Sequence, residues 1–224
     1  MFEEEVEMEK RQSSMLPLLL ILVLIGGIVG VAGYFIVQSR RVLTEQEASG
    51  FIVQALKSQG PAMVSFHTGT VMTRVDDPHA PQYRLLEKAG VLKLGKTKGT
   101  ATPVALTAQG EELLKQIPGV SVSPVKGEEG ITLYRVPLAT RKPVGPPKVT
   151  MTGAGKATVE FSWKWEPNTL GESFDAAGPM MKTFSSWDRS TLIDKHGASF
   201  FHGNPSNLTL SIVRDDQRWK IAGE

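Results

Sequence analysis

The stretch PQYRLLEKAGVLKLGKTKGTATPVALTAQGEELL, residues 81–114, carries the clearest succession of helix, turn and strand signals in the chain. Apolar residues recur at helical spacing from Tyr83 onward, and Gly90 supplies a stop at the C-terminal end. The residues that follow read as two short strands around a turn at 96–99, which predicts a β-hairpin. Thr107 then provides an N-cap for a further helix. The stretch therefore predicts helix, hairpin and helix in succession.

This succession resembles a winged-helix domain, whose third helix often ends in the pattern Y-x-x-L-x-x-x-G before an apolar residue. A β-wing follows in such domains, and L-T-x-x-G opens the last helix. The residues that match these two patterns are Tyr83, Leu86, Gly90, Val91, Leu106, Thr107 and Gly110. The resemblance covers residues 44–118 and implies a winged-helix-like α/β segment.

Winged-helix domains often bind DNA through the third helix, which lies in the major groove. The resemblance therefore implies nucleic-acid contacts on that helix and on the wing, at Arg84, Lys88, Lys93, Lys96 and Lys98. Residues 44–118, however, contain eight Lys and Arg against seven Asp and Glu, a segment charge of +1. Because binding several phosphates requires a basic face, this balance disfavours a nucleic-acid partner. We expect instead a spacer or a protein-contact module.

The C-terminal part of the chain has the pattern of antiparallel strands. In KATVEFSWKWEP, residues 156–167, apolar and polar residues alternate, as in a strand with one buried face. NLTLSIVRDDQRWKIA, residues 207–222, repeats this pattern on both sides of a turn. We predict a polar linker at 119–130 and an antiparallel β-rich domain over 131–224, so the whole chain is α+β. RKPVGPPK, residues 141–148, contains three prolines and is either a second linker or a crossing within that domain.

Residues 15–37 form an uncharged, apolar run of 23 residues. As a helix with a rise of about 1.5 Å per residue, this run is about 34 Å long, enough to cross the ~30 Å hydrocarbon core of a bilayer. A cleaved signal peptide is the alternative. The run is longer than the roughly 7–15 apolar residues of a signal peptide, however, and the tail before it, residues 1–14, is acidic. We predict an uncleaved single-pass transmembrane helix.

The basic residues beside this helix do not decide its orientation. Lys10 and Arg11 precede it and Arg40 and Arg41 follow it, so the counts used by the positive-inside rule are balanced. A short tail before a large C-terminal part is the common layout of a signal anchor. This layout favours a soluble part outside the cytoplasm, in the periplasm of a bacterial cell with the helix in the inner membrane.

Three glycines lie on one side of the predicted membrane helix. Gly26 and Gly30 form a GxxxG pair, which Gly33 extends by about one turn. Small residues let two helices approach closely in lipid, so this face predicts helix packing and a homodimer. The alternative is that glycine is simply frequent in membrane helices.

The sequence shows no pattern of a catalytic or cofactor site. It contains no Cys, which removes disulfides, thiolate ligands and cysteine nucleophiles. His196 and His202 would lie roughly 20 Å apart on a strand, too far to share a metal ion. Asp215 and Asp216 are explained by turn chemistry, and no phosphate-binding loop or G-x-S-x-G motif occurs. We therefore expect no cofactor, no metal and no enzymatic activity.

Aromatic residues offer the remaining signal. The alternation places Trp163, Trp165 and Trp219 in the core of the sheet, although aromatic residues can also line a ligand pocket. Trp187 and Phe201 stand outside the strand pattern and are the predicted contacts with a partner.

The layout as a whole loosely resembles bacterial envelope proteins that join a winged-helix-like segment to a small β-rich domain. The expected function is that of a non-catalytic, single-pass membrane protein that displays an interaction module to an envelope protein. The alternative is a membrane-tethered winged-helix transcription regulator, which requires the soluble part to be cytoplasmic.

Overall fold

A computed structural model describes residues 17–34, 41–196, 205–216 and 218–223, and these residues form a mixed α+β fold, as predicted. The helices are α1 (Pro17–Tyr34), α2 (Glu45–Ser58), α3 (Pro81–Lys88), α4 (Ala108–Gln116), α5 (Gly171–Phe174), α6 (Pro179–Lys182) and α7 (Ser186–His196). The strands are β1 (Ala62–Met72), β2 (Leu92–Leu94), β3 (Ala101–Leu106), β4 (Ser121–Pro124), β5 (Thr132–Gly153), β6 (Lys156–Pro167), β7 (Ser206–Asp215) and β8 (Arg218–Ile221).

Helix α1 is long and apolar enough to cross a membrane. Its 18 residues have a mean hydropathy of 2.4, and none of them is buried against the rest of the chain. A signal sequence near an N-terminus can also form an apolar helix that meets this criterion of length and hydropathy. The predicted apolar helix is therefore present.

The eight strands form one antiparallel sheet with the order β2-β3-β1-β5-β6-β7-β8, and β4 pairs with β5. Strand β1 pairs with β3 on one side and with β5 on the other. The predicted hairpin is confirmed as β2 and β3, and the two predicted C-terminal strands are confirmed as β7 and β8. Strand β6 has the bounds that the alternating pattern predicts.

Two compact units divide the described residues. The larger unit contains Glu45–Lys148 and Glu160–Leu210, and the smaller contains the described residues of Met1–Thr44, Val149–Val159 and Ser211–Glu224. Strands β5, β6 and β7 each contribute residues to both units. The chain thus divides differently from the predicted boundary at 119–130, because β1 and β5, which lie on either side of those residues, are hydrogen-bonded neighbours.

Each unit has its own buried residues. In the larger unit, α3 packs Leu85 and Leu86 into a core that includes Phe66 of β1 and Leu138 of β5. In the smaller unit the buried apolar side chains of the described residues are Leu43, Ala157, Val159, Ile212 and Trp219. The predicted core position of Trp219 is therefore confirmed.

The expected linker or crossing at residues 141–148 is wrong, since these residues lie inside β5. Proline cannot donate to a ladder and is tolerated only where a strand edge lacks a partner. Pairing between β1 and β5 ends at Ala139, so the β1 side of β5 is open beyond that residue. The three prolines occupy this open part of the strand.

The L-T-x-x-G pattern forms a close junction between α4 and the start of β2. The Thr107 hydroxyl caps α4 by accepting a hydrogen bond from the Gly110 N–H at 2.9 Å, and it donates to the Gly90 carbonyl at 2.5 Å. A Cβ on Gly110 would lie 2.2 Å from the Val91 carbonyl oxygen, so only glycine fits there. The predicted cap at Thr107 is confirmed. The winged-helix resemblance itself stays a prediction.

Candidate functional site

A β-bulge interrupts the pairing of β1 with β5 in the larger unit. Ala62 lies opposite Ala139, whereas the next residue, Met63, lies opposite Pro137. Leu138 is therefore an extra residue in β5 with no partner in β1. Bulges of this kind redirect side chains and are frequent beside functional sites.

Asn168 holds the bulge in place. Its Nδ2 donates to the Pro137 carbonyl at 2.7 Å, and its backbone N–H donates to the Leu138 carbonyl at 2.9 Å. Its Oδ1 accepts a hydrogen bond from the Gly171 N–H at 2.8 Å. A Cβ on Gly171 would lie 1.9 Å from the Leu138 carbonyl oxygen, so α5 approaches the bulge through a glycine.

Next to the bulge is a cavity of about 430 Å³, which we call the bulge pocket. It lies where the end of α2, the start of β1, the residues after α4 and the middle of β5 meet. Its lining residues are Leu56, Lys57, Gly60, Pro61, Met63, Pro118, Gly119, Pro137, Thr140 and Arg141. The volume falls within the roughly 300–1,000 Å³ range of small-molecule sites, and the lining is mostly apolar, as it is in such sites.

Arg141 is the polar feature of the bulge pocket. Its guanidinium carbon lies 4.1 Å from the ring centre of Trp165 and 5.2 Å from that of Trp163. Its Nη1 donates to the Gly60 carbonyl at 2.6 Å and to the Gln59 carbonyl at 3.2 Å. The ring and the two carbonyls fix the plane of the guanidinium group.

The charge of Arg141 is incompletely compensated. Its buried Nε makes no hydrogen bond within the described part of the chain. The described lining residues include no carboxylate, and Lys57 is a second cation at the same pocket. Burial lowers the pKa of the Arg141 guanidinium, which nevertheless remains protonated at neutral pH because its normal pKa is so high. The pocket therefore combines an apolar body with a positively charged wall.

Trp187, one of the two predicted partner contacts, lies near the start of α7 and is 80% exposed. It differs in this respect from the half-buried Trp163 and Trp165, which make a T-shaped contact at 5.3 Å. The other predicted contact, Phe201, lies outside the described residues. The exposure of Trp187 is compatible with a partner contact, which stays a prediction.

The basic residues predicted on the third helix contact the segment from α6 to α7. Arg84 donates to Asp188 at 2.6 Å, and Lys88 donates to the Thr183 hydroxyl at 3.0 Å. Lys88 also lies 4.7 Å from the ring centre of Phe184. These contacts hold both basic side chains against the protein's own surface.

The remaining predicted site residues are exposed. Lys93, Lys96 and Lys98 lie on or beside the β2–β3 hairpin, away from the contacts that hold Arg84 and Lys88. On α1, an added Cβ at Gly26, Gly30 or Gly33 would meet no atom within 4 Å. The small face of α1 is thus open, and its use in helix packing stays a prediction.

A polar cluster joins β1 to the start of α3. The buried Tyr83 hydroxyl donates to Asp76 at 2.6 Å and accepts the His67 N–H at 2.8 Å, and His67 Nδ1 lies 2.9 Å from the same Asp76 oxygen. Burial, with the hydrogen bond to Asp76, raises the pKa of Tyr83 well above its usual range. Within the described residues, no three side chains of His, Asp or Glu are placed to share a metal ion. The cluster therefore acts as a structural tie.

Comparison of the chain with protein-family models, with curated proteins and with solved structures finds no match. The bulge pocket is therefore assessed on its geometry alone. Sequence reasoning missed it because its lining comes from four separate segments and Arg141 belongs to no motif. The single signal near it was the proline-rich run at residues 141–148.

Proposed function

We propose that this chain is a single-pass membrane protein that holds a binding module at the membrane surface, outside the cytoplasm. Helix α1 is the observation that carries this proposal. It is apolar over 18 residues, and none of these residues is buried. In water such a surface is unfavourable by about 25 cal/mol per Å² of apolar area, whereas a bilayer covers it.

The module is the larger unit, and its surface supports binding rather than chemistry. The bulge pocket has the size and apolar lining of a ligand site, and its described lining residues include no acid–base pair. Trp187 adds an exposed aromatic side chain of the kind that is enriched in protein interfaces. A non-catalytic role in the cell envelope is consistent with these two features.

The alternative of a membrane-tethered DNA-binding regulator has less support. Recognition through α3 would require Arg84 and Lys88 to face phosphates or bases. Both side chains instead contact residues of the α6–α7 segment. The lysines on or beside the β2–β3 hairpin are exposed without such contacts, but +1 is a small segment charge for binding an anionic partner.

Single-cysteine labelling tests the proposal, because the chain contains no Cys and gives no background. We would make Val122→Cys, at an exposed position of β4, and Ser14→Cys, in the tail before α1, each in the full chain. In right-side-out vesicles a membrane-impermeant maleimide is expected to label Val122→Cys at once and Ser14→Cys only after lysis. The reverse pattern would contradict the proposed orientation and favour the regulator.

A second readout separates a membrane anchor from a cleaved leader. The intact mass of the chain, measured from membranes washed with alkaline carbonate, is expected to include residues 1–14. Release of the chain by the wash, or a mass that lacks the α1 segment, would contradict the single-pass proposal.

A further inference from the structure

We propose that the bulge pocket binds a small amphiphile with an apolar body and one carboxylate head, which Arg141 receives. This inference deepens the proposed binding role and rests on it, but it does not depend on the membrane orientation. Three properties of the pocket carry it: the nature of its walls, the two cations Arg141 and Lys57 in its lining, and the absence of a carboxylate among the described lining residues.

The walls of the pocket fit an apolar body without hydrogen-bonding groups along its length. Leu56 and Met63 contribute apolar side chains, and three further lining residues are prolines, which have no backbone N–H. A bound peptide strand needs backbone donors and acceptors from its site. Because Pro61, Pro118 and Pro137 supply no donors, an alkyl chain or a hydrocarbon ring fits these walls better than a peptide does.

The charged wall selects the head group. Arg141 is stacked on Trp165 and fixed by the Gly60 carbonyl, so its remaining N–H donors are held in a defined plane. With Nη1 bonded to two carbonyls and Nε buried, Nη2 is the donor left for a carboxylate. Such a charge-assisted hydrogen bond is about twice as strong as a neutral one. A carboxylate would pair the charge that no described lining residue compensates.

The second cation at the pocket points the same way. Lys57 lies on the last turn of α2, and both cations belong to a lining with no described acidic residue. A cationic head would therefore meet repulsion, and an uncharged head would leave the two positive charges without a counter-charge. Discrimination between ligands that share an alkyl chain and differ in the head group therefore distinguishes this site from a purely apolar cavity.

Sodium octanoate is a suitable probe, and 1-octanol is its matched control, since the two share the alkyl chain and differ in the head. Binding would be measured on the full chain in phosphatidylcholine nanodiscs by intrinsic tryptophan fluorescence, because Trp163 and Trp165 lie against Arg141. Empty nanodiscs provide the baseline for partition into lipid. We expect saturable binding of octanoate, at least about tenfold tighter than that of 1-octanol, from the added charge-assisted hydrogen bond.

Two variants distinguish the contribution of the carboxylate head to binding from that of the apolar body. Arg141→Gln removes the charge and is expected to weaken octanoate binding about tenfold or more, while Met63→Trp fills the cavity and is expected to abolish it. Lys142→Gln is the matched control, because the neighbouring Lys142 is exposed, pairs with Glu166 and does not line the pocket. Circular dichroism of each variant confirms that it is folded.

Equal binding of octanoate and 1-octanol to the wild-type chain would overturn the inference without reference to any variant. So would an Arg141→Gln chain that binds octanoate as well as Lys142→Gln does, or a wild-type signal no larger than that of empty nanodiscs. None of these results would affect the labelling test of membrane topology. Failure of the ligand inference can therefore be distinguished from failure of the proposed function.

Discussion

At several places in the larger unit, a glycine lets a carbonyl of another segment come close, and two of these places differ instructively. Gly110 lies against the Val91 carbonyl at the junction of α4 and β2, and Gly171 lies against the Leu138 carbonyl at the bulge. At the first, Thr107 pairs with both Gly90 and Gly110 and the joint is closed. The second is likewise tied, by Asn168, but a cavity of about 430 Å³ remains beside it.

The α4–β2 junction and the bulge differ in whether a nearby polar group lacks a hydrogen-bond partner. A cavity of about 450 Å³ also lies beside α4, but its lining includes neither Thr107 nor Gly110, whose polar groups are paired with each other and with Gly90. The bulge pocket is lined by Arg141, whose Nε has no partner in the described part of the chain. A buried unpaired donor is costly, and this cost, together with the uncompensated charge of Arg141, is what the proposed ligand addresses.

The largest expected effects come from the two glycines. Gly110→Ala and Gly171→Ala each force a Cβ against a backbone carbonyl and are expected to destabilise the chain by about 3 kcal/mol. Gly50→Ala, in α2 where a Cβ meets nothing within 4 Å, is the control and is expected to be neutral or stabilising by up to about 1 kcal/mol. Urea unfolding followed by tryptophan fluorescence measures all three.

The same pair of variants separates the two places. Octanoate binding is then measured without urea, at a temperature where both variants are folded. Gly110→Ala is expected to bind octanoate like the wild type, whereas Gly171→Ala is expected to shift the bulge and weaken binding. An unfolding free energy for Gly110→Ala equal to that of Gly50→Ala would show that the junction relaxes without cost. That result would remove the contrast between the α4–β2 junction and the bulge.

Asn168→Ala is expected to have the next largest effect. It leaves the Pro137 carbonyl and the Gly171 N–H without their partner, at a cost of about 2 kcal/mol. Asn207→Ala serves as the control, because its amide oxygen accepts only an exposed hydrogen bond from Ser162. If both variants unfold at the same urea concentration, the side-chain hydrogen bonds of Asn168 do not stabilise the bulge.

Thr107→Ala tests the closed joint by a smaller change. Loss of the N-cap is expected to cost about 1 kcal/mol, and Thr107→Ser, which keeps the hydroxyl, is expected to restore most of it. Thermal unfolding of the three proteins checks this order. A Thr107→Ser protein as unstable as Thr107→Ala would assign the effect to the methyl group rather than to the cap.

The smallest effect concerns the surface pair that holds α7 on α3. The Ser185 hydroxyl, and then Arg84, lowers the pKa of Asp188 below its usual value. A carboxylate with a lowered pKa in the folded state stabilises the fold above its unfolded pKa of about 3.9, and this contribution is lost as the pH falls through the folded value. The stability difference between the wild type and Asp188→Asn is therefore expected to be present at pH 7 and to vanish in acid.

Ser185→Ala removes the leading cause of this shift while leaving Arg84 in place. Its pH dependence is expected to fall between those of the wild type and Asp188→Asn. Denaturant midpoints measured from pH 7 to pH 3 provide the comparison. Parallel curves for all three proteins would mean that Asp188 titrates alike in the folded and unfolded states.

The elements that sequence patterns predicted are those specified by neighbouring residues. Alternation in residues 156–167 predicts β6 with its observed bounds, since both faces of that strand are set by residues two apart. The cap at Thr107 and the β2–β3 hairpin are likewise short-range features. Each needs only a few consecutive residues to be recognised.

What the patterns missed depends on distant segments. Strand β1 was not predicted because its alternation changes face near Gly69: Val64 and Phe66 are buried, and the next buried residue is Val71. Its pairing with β5 also joins residues about seventy positions apart. The prolines of β5 argued against a strand, yet the open edge beyond Ala139 accepts them. The bulge pocket requires both of these features, so no local pattern could have revealed it.

Protection of a single cysteine in the bulge pocket tests the central claim most directly. Met63→Cys places a thiol in the lining of an otherwise cysteine-free chain, and Val122→Cys places one on exposed β4. Octanoate is expected to slow alkylation of Met63→Cys by iodoacetamide, measured by intact mass, and to leave Val122→Cys unchanged. With Arg141→Gln added, the protection is expected to disappear. Equal alkylation rates at Met63→Cys with and without octanoate would contradict the account of a carboxylate-binding pocket.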